Sequence, residues 1–201
     1  MKKIILFLAL SLCCNTIYSQ KKKIKEKQSS SVLAKSDNIT AEVIKNNFYL
    51  FIANKGAEKE TILLKSIEGN KLPTECKIIP FTTKGVKLYS VSWTENKVTE
   101  TKLKTEDMTT TYTEICDVTT KTKLLSNAQT INKIKEIHFL DANKNASETI
   151  QRVRNEGLIL SLTKDGDVIL KGKTQENKLT YNPTEAKFVN VSSSGEPKKK
   201  K

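Results

Sequence analysis

The chain is 201 residues long, 37% apolar and 28% charged, enough to bury a core without the dense disulfides of miniature scaffolds. Its formal charge of +13 invites a nucleic-acid reading, but residues 28–197 hold 24 basic and 21 acidic side chains, a net of only +3. The excess lies at the ends, where no aromatics are interleaved to stack on bases, so nucleic acid is not an expected partner.

Lys2 and Lys3 form a short positive region ahead of an unbroken apolar run, Ile4–Leu12, and a polar stretch that ends on the small residue Ser19. This order of charge, apolar core and small residue predicts a secretory signal peptide over residues 1–19. The apolar run is too short to cross a bilayer as a helix, which takes about 20 residues. Cys13 and Cys14 lack the preceding small residue of a lipidation site. Lys21, Lys22, Lys23, Lys25 and Lys27 follow closely and oppose translocation, because positive charge beside an apolar segment favours the cytoplasmic side. The pattern still favours export to the periplasm, the cell surface or the medium, with no transmembrane span in the mature chain.

Residues 20–37, rich in Lys, Gln and Ser, read as a flexible basic linker. Residues 38–191 read as one all-β domain. Strand signals cover Phe48–Ala53, Thr61–Ile67 and Lys77–Phe81, where Pro80 points to an edge strand. Val86–Trp93 alternates, with Tyr89, Val91 and Trp93 on one face. The Thr-rich stretch 94–122 suits pleated strands, because threonine is β-branched. It predicts a hairpin of Val98–Thr105 and Thr109–Val118 turning at Glu106-Asp107. Within Leu124–Leu140 the spacing of Ile131, Ile134 and His138 suggests a short helix or irregular connection, then a strand from about Lys135.

Asp141–Asn145 reads as a turn, and Thr149–Val153 and Leu158–Thr163 as strands. Asp165-Gly166 is the clearest hairpin turn, since such turns need positive φ. Val168–Lys171, Lys178–Tyr181 and Lys187–Val191 complete an expected antiparallel β-sandwich or barrel of about 8–10 strands. Residues 192–201, ending in Lys198, Lys199, Lys200 and Lys201, read as a disordered tail. The lysines of both tails are candidate contacts for an anionic surface, lipid or polysaccharide.

Few residues suggest chemistry. With the signal peptide removed, Cys76 and Cys116 remain, and in an oxidising compartment they are a candidate disulfide. His138 is the lone histidine, and no Gly-x-Ser-x-Gly elbow accompanies it, so a structural or surface role is expected. Zinc would require more His or Cys ligands. Asp141, Asn143 and Asn145 alternate as calcium ligands do, but Ala146 and Arg152 stand where an EF-hand loop needs Gly and Glu, which leaves a polar turn. Asp165 and Asp167 serve a turn in the same way. Trp93 is expected in the core. No catalytic, cofactor-binding or metal-binding residues emerge.

The resulting expectation is an exported, non-enzymatic binding domain that engages another envelope component or a small apolar ligand. Two alternatives are a hydrolase of envelope polymers built on paired carboxylates, and an adhesion protein attached by its lysine tails.

Overall fold

The computed structural model describes residues 31–53, 60–68 and 72–191. The segment 1–19 expected as a signal peptide, with Cys13 and Cys14, and the lysine clusters 21–27 and 198–201 lie outside the described residues. Within them the fold is all-β and antiparallel, as expected, with no helix. The strands number thirteen and follow one another as a meander in three sheets.

The first sheet holds β1 (Ser31–Ser36), β2 (Ile39–Ile44), β3 (Asn47–Ile52) and β4 (Glu60–Ser66). The central sheet holds β5 (Thr74–Thr83), β6 (Val86–Glu100), β7 (Lys104–Asp117), β8 (Thr122–Phe139) and β9 (Ser147–Gly157). The third holds β10 (Ile159–Leu162), β11 (Val168–Lys171), β12 (Glu176–Asn182) and β13 (Lys187–Asn190).

Alternation along β6 explains how the sheets stack. Side chains point to opposite faces in turn, and Tyr89, Val91 and Trp93 enter one buried cluster with Phe48, Leu50, Ile52, Ile62 and Leu64 of the first sheet. Leu88 and Ile115 of β7 enter a second cluster with Val168, Leu179 and Tyr181 of the third sheet. The segment 88–94 of β6 is therefore covered on both faces, and the central sheet is the middle layer of a sandwich-like stack.

The covers reach only one end of that layer. β5 pairs with β6 from Thr83↔Val86 to Thr74↔Thr94 and goes no further. β6 and β7 stay paired to Glu100↔Thr105, and β8 and β9 to Phe139↔Ser147. From the row of Glu95, Thr110 and Thr130 to the row of Phe139, this extension measures about 30 Å at 3.4 Å per residue. Its outer strand β9 is exposed at every residue.

Several local expectations need correction. The linker stops short of residue 37, because Ser31–Ser36 already forms β1 and pairs with β2. The β6–β7 hairpin turns at residues 101–103 and not at Glu106-Asp107, which are ordinary ladder positions facing Thr99 and Val98. The Thr101 side chain makes that turn: its Oγ1 donates to the Lys104 carbonyl and accepts from the Lys104 N–H, both at 3.0 Å. Leu124–Leu140 contains no helix. Thr122–Phe139 is one strand, on which Ile131 and Ile134 point to opposite faces. Pro80 does lie in an edge strand, β5.

Candidate functional site

The uncovered half of the central sheet has two chemically different faces. One is an ionic lattice on the side that carries Trp93 further back. Lys104 bonds Glu106 at 2.7 Å, and Arg152 reaches Glu136 at 3.1 Å. His138 Nε2 lies 3.5 Å from the same Glu136, and Arg154 bonds Glu156 at 2.7 Å. The hydrogen bond from Lys104 is the main cause holding the Glu106 carboxyl below the ordinary glutamate range. Ile134 lies buried beneath these long side chains.

The other face places Val98, Asp107, Lys133 and Val153 in one row across four strands. Val98 and Val153 are 61% and 62% exposed. Asp107, Lys133, Lys135, Gln151 and Val153 line a shallow concavity of 370 Å³ on this face. Sheet twist produces such concavity wherever no second layer flattens the strands.

A second recess, of 460 Å³, lies where the end of β4 meets the central sheet. Lys65 Nζ donates to both Glu95 carboxylate oxygens, at 2.8 and 2.7 Å, and lies 3.8 Å from the centre of the Tyr112 ring. Tyr112 stacks on Trp93 at 5.3 Å, and Trp93 Nε1 donates to Glu95 Oε1 at 3.2 Å. Burial opposes charge on Lys65, but the hydrogen bonds with Glu95 and Tyr112 outweigh it and hold the ammonium above its ordinary range. Each polar group here already has a partner, so the cluster clamps β4 to the central sheet.

The structure separates the two cysteines that sequence suggested as a bridge. Both are free thiols. Cys76 lies on β5 in a bulge opposite Trp93, and Cys116 lies on β7 opposite Tyr89. With β6 between them and an offset of four residues, their Cα atoms are roughly 16 Å apart, against a limit of about 7 Å for a disulfide. Both pack at the first-sheet core, where burial pushes Cys76 up to about 11 and Cys116 to about 12.

The other singled-out residues take structural positions. Trp93 is in the core, edge-on to Phe48 with ring centres 5.0 Å apart. His138 is exposed on β8. Asp141 accepts the Asn145 and Ala146 N–H groups at 3.0 Å each and so closes its turn. Asp167 accepts Thr180 Oγ1 at 2.6 Å and pairs with Lys178 at 2.9 Å, which ties the Asp165-Gly166 turn to β12.

Among the described residues no group of three or more His, Cys, Asp or Glu is placed to hold a metal ion, and no helix is long and apolar enough to cross a membrane. Sequence reasoning missed Arg152 and Arg154, the only arginines in the chain, which share one face of the outer strand. Comparison with known protein families, characterised proteins and solved structures yields no match.

Proposed function

We propose that this chain is an exported, non-enzymatic β-domain that acts by binding a protein of the cell envelope on the uncovered half of its central sheet. The carrying observation is the projection of β6–β9 past both covering sheets, about 17 Å along β6 and about 30 Å along β8. Ordering a residue costs about 1–2 kcal/mol of backbone entropy, and β9 offsets little of it by burying its own side chains. A partner that covers the sheet supplies the missing burial. Val98 and Val153 are exposed apolar side chains at the two ends of one row across this face. Asp107 and Lys133 stand side by side between them, a mixed pair that suits a protein surface better than a polyanion.

The signal-like segment 1–19 supports export. Recovery of a chain beginning at Gln20 is the expected result, and retention of Met1 would count against it. Photoreactive side chains at Val98 and Val153 should cross-link an envelope protein in living cells, while one at Glu185, on the β12–β13 turn, should not. Equal yields at all three positions would refute the binding surface.

The two terminal lysine clusters support a second, compatible reading, attachment to anionic lipid or polysaccharide. Removing residues 21–27 and 198–201 should weaken sedimentation with anionic vesicles, and unchanged sedimentation would overturn it.

A further inference from the structure

Strand β9 has the features of a pairing edge and lacks those that prevent pairing. It is last in the central sheet, and its outer edge has no neighbouring strand among the described residues. It keeps an unbroken register with β8 over eleven residues, Ser147 to Gly157. Protected edges carry charged side chains, Lys above all, or Pro or a bulge; β9 has no Lys, Pro or bulge, and its four charges, Glu148, Arg152, Arg154 and Glu156, sum to zero and can pair with one another. The chain uses lysine for every other cation, and both of its arginines lie here. Arginine is the cation enriched at interfaces, because its planar fork matches a carboxylate.

The order of these charges selects the partner. Glu148, Ile150, Arg152, Arg154 and Glu156 share one face. We infer that β9 pairs antiparallel with β9 of a second copy about a twofold axis at Gln151, joining two five-stranded sheets into one of ten. In this register Glu148 stands opposite Arg154 of the partner subunit, and the symmetric pair repeats the contact. Ile150 lies against the aliphatic stem of Arg152 of the partner subunit, and no like charges meet.

An axis at Arg152 would instead set that arginine against itself and Glu148 against Glu156 of the partner subunit. An axis at Ile150 would direct Glu148 to an arginine already held by Glu136 at 3.1 Å. Glu148 has no ion pair among the described residues, and Arg154 is bonded at 2.7 Å to Glu156 of its own strand, so the chosen register leaves the bridge from Arg152 to β8 intact.

The inference rests on the reading of the uncovered half-sheet as a binding surface, and the two can fail separately. Sedimentation equilibrium of the recovered chain should give twice the monomer mass. Glu148→Lys and Arg154→Glu should each weaken the dimer by roughly tenfold or more, because each replaces two attractive cross-strand pairs with repulsive ones. The double variant should restore it, which also shows that the single variants remain folded. A monomeric parent, single variants as dimeric as the parent, or a double variant that stays monomeric would each overturn self-pairing. A monomer that still cross-links through Val98 would overturn self-pairing alone, and a dimer without that adduct would overturn the envelope-partner reading alone.

Discussion

Asp167 and Glu114 are both buried carboxylates, yet their surroundings shift them in opposite directions. The Thr180 hydroxyl and the Lys178 ammonium bond the charged form of Asp167 and hold its carboxyl below the ordinary value of 3.8. Its contribution to stability is therefore complete above the unfolded value and is lost as pH falls through the lower folded value. For Glu114 burial dominates. It raises the carboxyl above 4.5, despite the Ser126 hydroxyl at 2.5 Å and Lys123 at 3.9 Å. Its contribution is complete below the unfolded value and is lost as pH rises through the raised folded value. Asp167→Asn should cost about 1–2 kcal/mol near pH 7 and nothing in strong acid, where both side chains are neutral. Glu114→Gln keeps an acceptor for Ser126 and removes the buried charge, so near pH 7 it should match or exceed the parent by up to about 1 kcal/mol. Denaturant midpoints measured across the acid range, with the single Trp93 as fluorescent probe, would check both; equal losses for both at neutral pH would contradict the assignment.

Turns decide how the elements dock, and two glycines separate backbone strain from close approach. Gly85 and Gly166 both have φ near +80°, in hairpin turns where a side chain is disfavoured. A Cβ on Gly85 would meet nothing within 4 Å, whereas one on Gly166 would lie 2.6 Å from the Thr82 carbonyl oxygen and 2.6 Å from Thr83 Cβ. Gly85→Ala should thus cost only the left-handed penalty of about 1–2 kcal/mol. Gly166→Ala should cost clearly more, because it also lifts the β10–β11 turn off the β5–β6 turn. Equal shifts in thermal midpoint would show that this contact carries no energy. Asp165-Gly166 was legible in the sequence because glycine marks positive φ. The residue 101–103 turn was not, since a threonine hydroxyl makes it. Glu106-Asp107 resembled a turn because adjacent acids are uncommon in strands, but an uncovered sheet is wet on both faces and admits them. Ile131 and Ile134 imitated helical spacing for a related reason: β8 anchors apolar side chains on both faces, so a spacing of three persists without a helix. The lengths of β7–β9 were hidden because strand periodicity is a record of one-sided burial, and the extension buries a single side chain, Ile134. The arginine signal lies in the choice of Arg over Lys, which no motif search registers.

At the scale of the whole molecule, stability should divide along the sheet and not between sheets. Amides of Leu88–Trp93 lie between two covering layers, and those of Phe48–Ile52 line the first-sheet core. Opening them exposes both clusters, so they should exchange hydrogen only through global unfolding. β9 is paired on one side only, and no other layer covers it. Its outward amides should exchange first in the monomer, followed by residues 131–139 of β8. Hydrogen exchange read by mass spectrometry on peptides covering β6 and β9 would test this order, and uniform protection along β8 and β9 would contradict it. The same measurement constrains the assembly. If β9 pairs across a twofold axis, its outward amides gain partners, and protection of Ser147–Asn155 should rise with protein concentration while that of Leu88–Trp93 stays constant. Glu148→Lys should abolish the concentration dependence and leave the order of exchange within the monomer intact. Concentration-independent exchange of β9 in the parent would mean that the edge stays open, and its balanced charges would then serve solubility alone.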